Sequence, residues 1–166
     1  MAKAVGKPMR VLITGGSGLI GRALSANLAR DGNEVIILSR RPEQIIGLPA
    51  GVMAKWWDGQ TSDGWTSLVD GATAIVNLAG ENISSGRWTH ERKRPILESR
   101  LNAGRSIVQA VEAAARKPRV VIQASGVGYY GPCDDEEITE ETPPGHDFLA
   151  QLAADWEAST ASLELL

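Results

Sequence analysis

Cysteine is nearly missing: Cys133 stands alone among 166 residues, which excludes an internal disulfide and a cysteine-rich zinc site. Its neighbours, Gly131-Pro132 and the acids Asp134-Asp135, make a surface-loop context without a basic group to activate a thiolate and argue against a catalytic role. The only two histidines, His90 and His146, lie far apart, so no metal site is expected. No apolar run approaches the ~20 residues that span a bilayer. The polar start, Met1 to Met9 with Lys3 and Lys7, lacks the core of a signal peptide. A cytoplasmic protein without a membrane partner is expected. Positive charge is not in excess either, because 17 Lys and Arg face 20 Asp and Glu for a net −3, which argues against a nucleic-acid partner.

What is present suits one soluble domain, with 43% hydrophobic residues. We expect a polar N-terminal extension over 1–9 and a single domain over 10–166. Short apolar, β-branched runs at Arg10–Thr14, Glu34–Leu38, Ala74–Leu78 and Arg119–Ala124 predict strands buried on both faces, with a weaker strand at Val52–Trp56. Apolar residues recur at helical spacing over Leu19–Arg30, and Gly32 supplies the stop. A short helix is expected at Trp65–Val69. Helix also dominates Thr89–Ala115, where Pro95 predicts a short turn followed by a main helix opening at the proline. Asp147 can cap a last helix running toward Ser162. Strands alternating with helices, without hairpin signals, predict an α/β fold with a doubly wound, mostly parallel sheet.

Between the first strand and first helix lies Gly15-Gly16-Ser17-Gly18-Leu19-Ile20-Gly21. Glycines at 15, 18 and 21 suit a dinucleotide-binding turn: the first for the bend, the second for close approach of a pyrophosphate, the third for helix packing. At the end of the second strand, where an acid would bind the ribose hydroxyls of NAD, the chain has Ser39-Arg40-Arg41. Guanidinium groups bind a 2′-phosphate that a carboxylate would repel, so NADP(H) is the expected cofactor.

The segments ITGGSGLIG (13–21), NLAGENI (77–83), RW (87–88), SR (99–100), SGVGYYG (125–131) and DFLAQLAADWE (147–157) together resemble the atypical short-chain dehydrogenase/reductases. Within these, the chain is similar to the NAD-dependent epimerase/dehydratase-like proteins, also labelled cell-division-inhibitor-like. The resemblance spans nearly the whole chain and implies a Rossmann fold. It implies that the turn Gly15 to Gly21, with Ser17, Leu19 and Ile20, holds the pyrophosphate, and that Ser39 and Arg40 take the 2′-phosphate. Leu78 and Ala79, with Gly80 beside them, would contact the adenosine half, and Arg100 would reach the cofactor from the long helix. Asp58 occupies a position that contacts adenine; a turn-forming role before Gly59 fits it equally well.

The chain departs from the pattern in three ways. Relatives commonly carry an acid where Pro95 stands. They also continue for a segment about as long again, so this chain is expected to be the front part of a longer protein, without C-terminal strands and a substrate lobe. A strand edge left open that way makes self-association, a homo-oligomer, an expectation. Third, the superfamily's Ser–Tyr–Lys set keeps only Ser125. Phe148 and Leu152 stand where Tyr and Lys belong, and no lysine follows Lys117. Tyr129 or Tyr130 can substitute as an acid or an aromatic wall, or simply pack; an unassisted phenol, with pKa near 10, is a poor base at neutral pH. The five tryptophans are expected in packing roles, the acidic run Asp134–Glu141 in a solvated loop, and Glu157 as a structural hydrogen-bond partner. Two functions remain open: an NADP(H)-binding oxidoreductase or epimerase-like protein acting on a small carbonyl or nucleotide-sugar substrate, or a catalytically silent cofactor module acting as redox sensor or interaction partner.

Overall fold

The computed structural model describes residues 8–165; the expected extension 1–9 therefore falls mostly outside the described residues. Five strands form one sheet: β1 (Arg10–Thr14), β2 (Glu34–Ser39), β3 (Val52–Trp56), β4 (Ala74–Asn77) and β5 (Val120–Gln123). Their order is β3-β2-β1-β4-β5, and every pairing is parallel. Chain connections from β1 outward run first to one edge, then return to the other side of β1, which places a crevice at the C-terminal ends of β1 and β4. The helices are α1 (Leu19–Arg30), α2 (Thr66–Val69), α3 (His90–Ala113) and α4 (Phe148–Ala158), with 3₁₀ turns at Pro42–Gln44, Val127–Tyr130 and Ala161–Leu165.

Side chains alternating across β1, β2 and β4 supply two cores. One face packs Leu12, Ile36 and Ile75 against Trp57, Trp65 and the α3 residues Ala103, Ile107 and Ala110. The other buries Val11, Ile13, Ile37 and Val76 beneath Leu24 and Leu28 of α1. Both faces are covered, as the near-continuous apolar runs predict for a parallel sheet.

Four expectations need correction. Pro95 does not open a new helix: α3 runs unbroken from His90, with Pro95 inside it and the Thr89 side chain capping the N-terminus at Arg92 N. A proline costs about 3 kcal/mol within a helix. Burial of Ile96, Ala103, Ile107, Ala110 and Val111 along the same helix outweighs it, at ~1.5–3 kcal/mol per large apolar side chain. Strand β5 is not buried on both faces, since Val120 and Ile122 are 46% and 50% exposed at the sheet edge. The last helix stops at Ala158, where Ser159 turns back to hydrogen-bond the Trp156 carbonyl through its hydroxyl, and a 3₁₀ turn carries Ser162. Finally, Trp57, Trp65 and Trp156 pack in the interior and Trp88 packs against Phe148 near the surface, but Trp56 is exposed.

Candidate functional site

The C-terminal end of β1 enters the glycine-rich turn. Gly15 has φ +69°, and a Cβ there would meet the Leu78 carbonyl oxygen at 2.5 Å, so β4 and the turn touch backbone to backbone. A Cβ on Gly21 would lie 2.5 Å from both the Gly15 oxygen and the Gly16 Cα, which is how α1 presses onto the turn. Gly18 differs: a Cβ there would meet only the Gly15 oxygen, at 3.3 Å. Gly18 is also the N-cap of α1 and has no side chain to cap it. The first-turn N–H donors are thus left to an external acceptor, on the positive end of the helix dipole. Leu19 and Ile20, in that first turn, are 91% and 68% exposed.

A polar relay inside the sheet sets the next wall. Thr14 Oγ1 donates to Asn77 Oδ1 at 2.6 Å, and Asn77 Nδ2 donates to Gln123 Oε1 at 2.8 Å. Asn77 Oδ1 also accepts from Ala79 N at 3.3 Å, fixing the backbone that leaves β4. Glu81 N then donates to Ser99 Oγ at 2.9 Å on α3. The third wall comes from β2 and β3. Ser39 Oγ accepts from Arg41 N at 3.2 Å, turning the chain after β2. Asp58 accepts from Gln60 N, Thr61 N and Thr61 Oγ1, each at 2.8 Å. Burial alone would raise the Asp58 pKa, but those hydrogen bonds together hold it below the ordinary value. The indoles of Trp57 and Trp65 both donate to the Thr61 carbonyl and brace this turn from beneath.

These walls enclose a cleft of about 790 Å³. Of the residues expected at a cofactor, Gly15, Ser17 and Gly18 line its floor, Ser39, Arg40, Arg41 and Asp58 one side, and Leu78, Ala79 and Gly80 the other. Leu19, Ile20 and Gly21 sit beside it without lining it. Asp58 both lines the cleft and closes its own turn. Arg100 does not reach the cleft lining: Nη1 donates to the carbonyls of Glu81 (3.2 Å) and Ile96 (3.0 Å), and its guanidinium lies 4.9 Å from the Trp156 ring. Burial lowers the Arg100 pKa, against the opposing pull of the Glu81 charge; the group still stays a cation. It acts as a clamp on the Gly80-Glu81 backbone, where a Cβ on Gly80 would lie 2.8 Å from its Cζ.

Ser125, Tyr129 and Tyr130 lie beyond the cleft lining. Ser125 is exposed just after β5, and the tyrosine rings meet edge to face at 5.2 Å. Phe148 opens α4 with Trp88 5.8 Å away and the Lys93 ammonium 4.8 Å from its ring centroid, while Leu152 is buried. Glu157, expected to hydrogen-bond, is exposed, and its carboxylate makes no hydrogen bond among the described residues. The acidic run Asp134–Glu141 is an exposed loop as expected. Sequence reasoning missed Asn77, although a polar residue ending an apolar strand was a visible signal. It also missed Arg22 and Glu98, which line the cleft outside every motif, and Glu81 and Ser99, which line it within the NLAGENI and SR segments beside the residues assigned to the cofactor.

Charge in the cleft is net positive once its pairs are drawn. Glu81 is paired with Arg92 at 3.1 Å and Glu98 with Arg94 at 3.1 Å, while Asp58 is fixed by neutral donors of its own turn and keeps its negative charge. Among the described residues, none of the cleft arginines, Arg22, Arg40 and Arg41, has a carboxylate partner. An uncapped helix N-terminus, a glycine cradle open at Gly18 and unpaired guanidiniums at the end of β2 fit a phosphorylated dinucleotide.

Sheet order, glycine turn and crevice define a dinucleotide-binding Rossmann domain. The chain belongs to the NAD dependent epimerase/dehydratase family, whose model matches residues 11–161. Within it the relatives are atypical short-chain dehydrogenase/reductases. Epimerase family protein SDR39U1 of Bos taurus is 36% identical over 154 residues, covering 91% of this chain and 48% of that protein. The crystal structure of human SDR39U1 (isoform 2) with NADPH superposes with a TM-score of 0.75 at 33% identity, over 92% of this chain and 48% of that one. The nucleoside-diphosphate sugar epimerase of Corynebacterium glutamicum gives 0.73 at 36% identity, over 95% and 31%. The chain thus spans about half or less of the length of these relatives. No described helix is long and apolar enough to cross a membrane.

Proposed function

We propose that this chain binds NADP(H) and serves an epimerase-like oxidoreductase acting on a small carbonyl or nucleotide-sugar substrate. The observation that carries the reading is Arg40 and Arg41 in the cleft at the end of β2, without a carboxylate partner among the described residues and without an acid in the ribose position. The NADPH in the human relative and the sugar-nucleotide name of the Corynebacterium relative support it. When bound, the cofactor would supply hydride transfer. The protein's part is to hold phosphates on the α1 N-terminus and Gly18, to bind the 2′-phosphate at Ser39, Arg40 and Arg41, and to seat adenosine between Asp58 and Leu78-Ala79.

Calorimetry with NADPH and NADH tests the cofactor. The chain is expected to prefer NADPH, and Arg40→Ala to weaken NADPH roughly 10- to 100-fold while leaving NADH nearly unchanged, the loss of one hydrogen bond to a charged group. Equal affinity of the unmodified chain for both cofactors would defeat the reading. A second reading, a cofactor module without turnover, is favoured by Phe148 and Leu152, because neither side chain can exchange a proton. Following NADPH absorbance across carbonyl and nucleotide-sugar substrates separates the two: oxidation of cofactor by any of them removes the silent reading.

A further inference from the structure

Arg22 has no place in the glycine motif, yet it lines the same cleft as Arg40 and Arg41. It sits in the first turn of α1, its N–H bonded to the Gly18 carbonyl at 2.9 Å, so the close seating of Gly21 on Gly15 fixes its origin. Its Nε donates to the Ser17 carbonyl at 2.8 Å and its Nη1 to the Ile46 carbonyl at 3.3 Å. The guanidinium therefore bridges the glycine-rich turn and the loop that follows β2. Nη2 and the second hydrogen of Nη1 have no partner among the described residues.

The position is electrostatically adverse. A cation in the first turn faces the positive end of the helix dipole, no acid in that turn offsets it, and Arg40 and Arg41 add like charge to the same cleft. Of the carboxylates that line the cleft, Glu81 and Glu98 are paired with Arg92 and Arg94, and Asp58 alone, fixed in its own turn, is set against the three guanidiniums. An anion carrying more than one charge removes this imbalance, and a planar guanidinium with its outer edge free is shaped to take phosphate oxygens.

We propose that Arg22 is a specificity-determining residue, the third guanidinium on the 2′-phosphate of NADP(H), and that its hold on Ser17 and Ile46 shapes that end of the cleft. This rests on the reading of the cleft as an NADP(H) site. Arg22 is exposed, so its replacement leaves the core intact.

The test is calorimetric titration of the 166-residue chain and its Arg22→Gln and Arg22→Lys variants with NADPH and with NADH, with thermal melting of each variant as a control for folding. Arg22→Gln is expected to weaken NADPH roughly 10- to 100-fold and NADH less than about threefold. Arg22→Lys is expected to recover part of the loss, because a point charge remains. Equal weakening of both cofactors would place Arg22 on the pyrophosphate they share and overturn the proposal, as would unchanged NADPH affinity. An unmodified chain that does not prefer NADPH overturns the cofactor reading itself, whereas an undiminished preference in Arg22→Gln overturns the role of Arg22 alone.

Discussion

The three motif glycines share a residue type and differ in what surrounds the missing Cβ. At Gly21 the Cβ position is filled by backbone, the Gly15 oxygen and Gly16 Cα, neither of which can move without shifting α1 from the turn. At Gly18 the space is the cleft itself. Gly21→Ala is therefore expected to lower stability by about 1–3 kcal/mol, the range for forcing extra atoms into a packed site. Gly18→Val should fold with a near-normal denaturation midpoint and lose NADPH binding, because its side chain occupies the space where phosphate meets backbone. Denaturant titration and calorimetry on both variants check the contrast; a folded Gly18→Val that binds normally would make the turn purely structural. The sequence pattern alone assigns Gly18 to the pyrophosphate and Gly21 to helix packing; what it does not display is the backbone contact of Gly15 with Leu78 at the end of β4. The same limit hid Arg22, whose role needs the neighbouring Ser17 and Ile46 carbonyls to be visible, and it left Arg100 legible as a residue but not as a clamp on Glu81.

Strand and helix positions were readable to within a residue or two wherever apolar period and turn residues agreed, as in β1, α1 and β3. Pro95 misled because local preference and tertiary burial disagree within α3 and burial is the larger quantity. Strand β5 misled because apolar composition reports what a strand can bury, not whether a neighbour exists to bury it. The sequence leaves two readings of Asp58: the hydrogen bonds show the turn-forming one, and the residue also lines the cleft. That turn has a pH signature. The folded pKa of Asp58 lies below its ordinary 3.8, so its contribution to stability is present in full above that value. It is lost as pH falls through the folded pKa, when the protonated carboxyl no longer accepts charge-assisted hydrogen bonds from Thr61 and Gln60. Asp58→Asn should accordingly be less stable than the unmodified chain at about pH 7, with the gap narrowing at about pH 3. Urea midpoints at the two pH values decide it, and a gap that is constant or widens in acid would mean that the hydrogen bonds do not depend on the carboxylate charge.

On the scale of the whole molecule, the sheet has two edges, and they differ. Strand β3 pairs with β2 and carries Met53 and Trp56 exposed on its surface, with the Gly51 and Asp58 turns at its ends. Among the described residues strand β5 pairs only with β4, through Ala74–Asn77, and its other edge has no strand partner there and is flanked by half-exposed Val120 and Ile122. A groove of about 560 Å³ runs beside it, lined by Lys117 and Arg119 as well as Glu157 and Glu164. Unpaired backbone beside apolar side chains is a template for another strand. Apolar surface left in water forfeits about 25 cal/mol per Å². The 166-residue chain is therefore expected to associate as its concentration rises. Ile122→Lys should suppress the association while leaving NADPH affinity unchanged, since Ile122 is at the sheet edge and outside the cofactor cleft. Sedimentation across a concentration series reads the first effect and calorimetry the second. A chain that stays monomeric throughout, or an Ile122→Lys variant that associates as strongly as the unmodified chain, would show that the β5 edge does not drive self-association.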